Sequence, residues 1–195
     1  QDISVGIDYP TISDALQHTQ VGDTVWANRS PVAYSTKSGE RFPLIFPVAG
    51  VKLKAAYGGA APYAIIVMDS ANQLSVFEVN NGVRIEGFQI KSSTKKAPQL
   101  ASLQGLSDVA FIDCNVQTPG IVGQGLVRLT VHGCSFFPLY GFPAQAIGVF
   151  FSSDVVASGN SITNSKIVFS DSVRVTIEEN IIVDGEYGIQ IDDNS

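Results

Sequence analysis

Five segments of the chain share one order of apolar and polar positions. Val83–Ile90 (VRIEGFQI), Ala110–Val116 (AFIDCNV), Leu129–Phe136 (LTVHGCSF), Val156–Ile162 (VASGNSI) and Val175–Ile182 (VTIEENII) align on a fixed position that is followed, after one residue, by an apolar one. The fixed position holds Phe88, Cys114, Cys134, Asn160 and Asn180, separated by 26, 20, 26 and 20 residues, or 23 on average. Between these segments lie further short apolar runs (SVFEVN, GIVGQG, AIGVFF, SKIVFS and YGIQID), bounded by turn residues, which predict a second strand in each period. No helical periodicity follows residue 20. Short strands and turns repeating at this length predict an all-β, single-stranded right-handed parallel β-helix of about 23 residues per coil. Coils stacked about 4.8 Å apart turn equivalent residues into ladders. An inward Asn suits such a ladder, because its amide bonds the backbone and the next Asn in the stack.

The first third reads differently. In Thr11–Gln20 (TISDALQHTQ), Thr11 is placed as an N-cap with Asp14 three residues on and Ala15 and Leu16 on one face. This predicts a short amphipathic helix covering the N-terminal end of the solenoid, where open strand edges would otherwise invite pairing. GDTVWA reads as the first strand, so residues 1–27 form the cap and first strand of a single domain spanning 1–195. Residues 28–50 read as a polar loop excursion and 51–195 as the coils. The sequence stops at GIQIDDNS, where another coil is due, which predicts an uncapped C-terminal end and self-association through it, or a truncated chain.

Composition narrows the partners. The 195 residues, 45% of them hydrophobic, suffice for one core, and the net charge of −6 disfavours nucleic acid and anionic membranes. No apolar run is long enough to insert into a membrane, and the N-terminus lacks signal-peptide character, so a signal peptide is expected to have been removed already. Two cysteines do not make a disulfide scaffold. Asn28 opens an N-x-S sequon that Pro31 follows, which weakens it as a glycosylation site.

The run Tyr9–Ala55 resembles the N-terminal signature of right-handed parallel β-helix proteins of the pectin-lyase-like superfamily: an aromatic-Pro-Thr-Ile start, a capping helix, Gly-Asp-Thr-Val, Phe-Pro-Leu and Gly-Val-x-Leu. With its SGE-x-FPL element (Ser38–Leu44), it is most similar to secreted bacterial members. The resemblance implies a secreted or cell-surface location and polysaccharide as a partner. It implies either a non-catalytic carbohydrate-associated scaffold or a lyase, hydrolase or epimerase acting on acidic polysaccharide at the outer face of the coils. The catalytic motif sets of such enzymes do not occur in the chain, although Asp192 and Asp193 form an isolated acidic pair. No cofactor or metal is expected; calcium enters only under the lyase reading.

Ladder geometry ranks the candidate residues. His132 precedes Cys134 by two, and its predicted row runs Glu86, Ile112, His132, Ser158, Glu178, which holds too few ligands for a metal. Asp113 lies diagonally beside His132, either as a dyad or as an exposed polar pair. Cys114 and Cys134 point inward on consecutive coils and read as buried thiols, with a disulfide as the alternative. Arg84, Arg128 and Arg174 each follow a Val, giving a cationic stripe suited to sugar carboxylates or a solvated face. Under the enzyme reading, Arg128, Arg174, Asp113 and His132 are the catalytic candidates. Arg84 and the aromatic turn of Phe137, Tyr140 and Phe142 are the binding candidates, the turn either stacking on sugar or folding back on the solenoid. A second-strand row of Glu78, Gln124, Phe150, Lys166 and Gln190 or Asp192 offers one ionisable group per coil, whereas glycosidic cleavage needs two carboxylates. Lys37, Glu40 and Arg41 read as a charged, flexible loop.

Overall fold

The computed structural model describes residues 1–28, 32–56, 64–69, 73–93, 98–137, 144–184 and 188–192. Its described strands form three parallel sheets of eight, six and seven strands, here sheets A, B and C, each strand pairing with its counterparts on neighbouring coils. Sheet A runs Asp2–Val5, Thr24–Ala27, Lys52–Ala55, Arg84–Glu86, Ser107–Ile112, Val127–His132, Ser153–Ser158 and Val173–Glu178. The repeated motif is therefore two strands with a corner between them. After Ser107–Ile112 the chain bends and forms Asn115–Gln117 in sheet B, then Ile121–Gln124 in sheet C. The expected two strands per coil are in fact three, because the sheet B strands are short enough to merge with the preceding one in the apolar pattern.

Alternation decides what is inside. Ile3, Val25, Leu53, Ile85, Phe111, Val131 and Ala157 stack in register and are buried. Sheet B contributes Ile66, Ile90, Val116, Phe136 and Ile162, and sheet C contributes Phe77, Ala101, Ile121, Ile147 and Ile167. Each fully buried Phe, Leu or Ile contributes about 1.5–3 kcal/mol.

The corner after sheet A is turned by left-handed backbone at Gly87, Asp113, Gly133, Gly159 and Glu179 (φ +50° to +81°). At Gly133 the left-handed φ of +63° favours glycine, and a Cβ there would also require the Asp113 carboxylate, 2.2 Å away, to swing aside. The next residue is the fixed position of the repeat, and it forms an interior polar ladder. Asn160 Oδ1 accepts from the Cys134 amide (2.9 Å) and its Nδ2 donates to the Val131 carbonyl (3.0 Å). Asn180 repeats both bonds on Asn160 and Ala157, and Cys134 substitutes sulfur, its Sγ accepting from the Cys114 amide (3.5 Å) and donating to Phe111 O (3.5 Å).

The cap is the helix Ile12–Gln17, started by Thr11, whose hydroxyl accepts from the Asp14 amide (3.0 Å), with Ala15 and Leu16 buried. The cap region differs from the sequence expectation in two respects. Asp2–Val5, ahead of the helix, is the first strand, and GDTVWA supplies the second. Glu40 is not in a solvated flexible loop: it is 3% exposed and accepts from Ile12 N, Ser13 N and Ser13 Oγ at 2.7–2.9 Å, fastening the polar excursion to the helix. Arg41 bonds Asp14 at 2.6 Å, and Leu44–Ile45 opens sheet C. Burial, with Glu40 close by, pushes the nearby Tyr34 phenol up to about 12.

Candidate functional site

Sheet A exposes two outer rows at its N-terminal end. One runs Ser4, Trp26, Lys54, Glu86, and its neighbour runs Asp2, Thr24, Lys52, Arg84. Residues two apart on a strand share a face, so Lys52 and Lys54 both point outward, as do Arg84 and Glu86 one coil on. Trp26, Lys52, Lys54, Arg84 and Glu86 thereby converge from three successive coils, although the repeat is hidden there by loops of unequal length.

The cluster is organised around Glu86. Lys54 Nζ lies 3.2 Å from its Oε2 and 5.6 Å from the centroid of the Trp26 ring, while Arg84 Nε donates to the same carboxylate oxygen at 3.0 Å. Trp26 Nε1 donates to Asp2 Oδ1 at 3.2 Å. Partial burial pushes the Glu86 carboxyl up, but the hydrogen bonds and charges of Arg84 and Lys54 outweigh it and hold its pKa below the ordinary value. Glu86 is thus a fixed anion at neutral pH and not a proton donor. Lys52 is exposed beside the group. An indole face bordered by cations can stack on a pyranose ring and bind carboxylates on that ring at the same time.

The other candidates fall elsewhere. His132 occupies the predicted row between Ile112 and Ser158, exposed, with Nδ1 2.9 Å from Ser158 Oγ. Asp113 overlies Gly133 and makes no ion pair with His132, so the dyad does not form. Arg84 does not continue a stripe with Arg128 and Arg174, because it pairs in register with Ala110, two positions away from their row. Arg128 and Arg174 are each bound bidentately by the aspartate one coil before, Nη2 lying 2.7 Å from Asp108 Oδ2 and from Asp154 Oδ2 respectively. The stripe is therefore an alternation of charge. The second-strand row also separates: Gln124 and Phe150 align with Ser170 and Asp192, but Glu78 aligns with Ile45 and Lys166 with Gln145.

Phe137 is 38% exposed, while Tyr140, Phe142 and Asp193 lie outside the described residues. Asn28 Nδ2 donates to Val5 O, and the rest of the sequon lies outside the described residues. Cys114 and Cys134 are buried free thiols; the hydrogen bond with Cys114 and burial push the Cys134 thiol well above its usual range. Both thiols lie inside the solenoid, away from the partial exposure that a reactive cysteine needs.

A cleft of about 300 Å³ beside the cap is lined by Ser13, Gln17, Arg41, Phe42, Pro43 and Ile45, but Ser13 and Arg41 already bond Glu40 and Asp14. Among the described residues no three His, Cys, Asp or Glu side chains gather as metal ligands. No helix among them is long and apolar enough to cross a membrane.

Trp26, Lys52 and Lys54 are absent from the sequence-derived candidates, and Glu86 appears only as a row member. The available signal was the alternation of GVKLKA, which aligns with GDTVWA once the glycines are superposed.

No curated protein matches the chain in sequence. A crystal structure from Parabacteroides merdae, of a protein provisionally assigned as a glycosyl hydrolase, is 12% identical, covering 93% of this chain and 96% of that one with a TM-score of 0.42. Residues 63–195 match the family model described as the right handed beta helix region. With three parallel sheets wound coil on coil and that match spanning most of its length, the chain belongs to the right-handed β-helix family.

Proposed function

We propose that the protein is a non-catalytic, carbohydrate-binding β-helix that holds acidic polysaccharide on the outer face of sheet A. The observation that carries this reading is that Lys54 and Arg84 both bond the Glu86 carboxylate while Lys54 also lies over the Trp26 ring, with Lys52 exposed on the adjoining row. Although the chain as a whole carries a net charge of −6, Lys52, Lys54 and Arg84 outnumber Glu86 and Asp2 on this face, so its cations suit sugar carboxylates and its indole suits a ring face. Glu86 is held ionised by its two ion pairs, which supplies neither the protonated acid nor the second carboxylate that hydrolysis needs. We place the protein at the cell surface or in secretion, where such polymers are met.

Cleavage or epimerisation at the same face is the second reading. The same three cations favour it, since a lyase must neutralise the uronate carboxylate before a proton leaves the neighbouring carbon. Affinity electrophoresis on polygalacturonate, alginate and a neutral glucan, with the mixtures followed for unsaturated products, tests both. Retention on the acidic polymers without product supports binding alone. Product formation selects the enzyme, and absence of retention on any acidic polymer defeats the proposal.

A further inference from the structure

The corner between sheets C and A carries a charge pattern unrelated to the sugar face. In the first coils this corner holds Gly22, Gly50 and Gly82, with φ of +86°, +74° and +69°. In the next four coils the register puts Asp108, Arg128, Asp154 and Arg174 at the same position, with φ of +60°, +60°, +57° and +52°. Left-handed backbone disfavours an arginine, and glycine serves the same turn three times in this chain. The intrachain ion pairs do not account for the choice, because exposed pairs contribute little to stability.

The order of the row is what distinguishes it. Read along the solenoid, the charges are minus, plus, minus, plus. Turned end for end about a two-fold axis, the same row reads plus, minus, plus, minus. Asp108 then faces Arg174 of a second copy, and Arg128 faces Asp154. Each guanidinium spends Nε and Nη2 on its own aspartate, leaving three of its five N–H donors for another carboxylate.

The flanking row is also self-complementary. Ser107, Val127, Ser153 and Val173 precede the four charges, so the same rotation sets each exposed valine (38% and 56%) against a serine. Phe151, 60% exposed, adds apolar surface at the same edge. We propose that this corner is an isologous interface on which a second copy of the chain packs side by side and antiparallel.

The test is the mass in solution by sedimentation, at low and high salt, of wild type and charge-swapped variants. Wild type is expected at twice the 20.7 kDa of one chain, with affinity falling at least about tenfold at high salt. D108R/R128D keeps its intrachain pair but orders the row plus, minus, minus, plus, which sets like charges together, and should be monomeric. D154R/R174D should be monomeric for the same reason. Mixed, these two variants are complementary and should form a heterodimer, and the fourfold swap should dimerise alone. If a swap fails to fold by circular dichroism, R128Q/R174Q should still weaken the dimer at least about tenfold. A wild type that is monomeric throughout, swaps that dimerise like wild type, or swaps that ignore each other on mixing would overturn the proposal.

Discussion

Lys54 bonds Glu86 on the coil above it at 3.2 Å while lying 5.6 Å from the Trp26 ring on the coil below, so one ammonium joins the outer faces of three coils. Glu86 is the counter-ion that holds this group together through its two ion pairs. Under the proposed function it would also compete with a sugar carboxylate for the same cations.

Removing that competition has a defined direction. In Glu86→Gln, Lys54 and Arg84 are free to bind anions, and affinity for a uronate polymer should rise several-fold in a surface-binding assay. Stability should change by no more than about 1 kcal/mol, because the cations stay solvated. Unchanged or weakened binding would show that these cations do not touch the polymer.

The same carboxylate gives a pH prediction. Its folded pKa lies below the ordinary 4.5, so the stability it adds is present above that value and is lost as pH falls through the folded pKa. Carbon-detected NMR titration should find Glu86 below 4.5. In Lys54→Met/Arg84→Met only partial burial remains, and the midpoint should cross to the other side.

The interior ladder is testable by denaturation. Asn160→Ala leaves the buried Cys134 amide without its acceptor and should cost about 1–3 kcal/mol. Asn160→Asp should cost more, since a buried carboxylate would face Val131 O and Asn180 Oδ1. Cys134→Asn should be tolerated or stabilising, because sulfur already makes the ladder's two bonds at longer range.

Much of this organisation was legible in the chain. The spacing of Phe88, Cys114, Cys134, Asn160 and Asn180 fixes the register, and the row through Glu86, Ile112, His132, Ser158 and Glu178 follows from it. The cluster around Glu86 was hidden because Gly22, Gly50 and Gly82 are 28 and 32 residues apart, so loops break the period where Trp26 and Lys54 meet. Reading Val-Arg as one stripe failed because Arg84 lies on strand, two positions past the left-handed corner, whereas Arg128 and Arg174 occupy it. Burial of Glu40 depends on helix amides 27 and 28 residues earlier, which no local pattern encodes.

That buried carboxylate should matter more than its loop position suggests. Glu40→Ala strips Ile12 N, Ser13 N and Ser13 Oγ of their acceptor and should cost about 2–3 kcal/mol in urea denaturation. Faster amide exchange at the start of the helix should accompany it. A loss under about 0.5 kcal/mol would show that the cap is held by apolar packing alone.

The most direct measurement of the central claim is the affinity of wild type and Trp26→Ala for polygalacturonate and alginate by calorimetry, with a neutral glucan as control. Wild type should bind the acidic polymers in a salt-sensitive manner and the glucan weakly or not at all, and Trp26→Ala should lose at least about tenfold in affinity. Equal affinity in the two proteins, or wild-type preference for the neutral polymer, would contradict it.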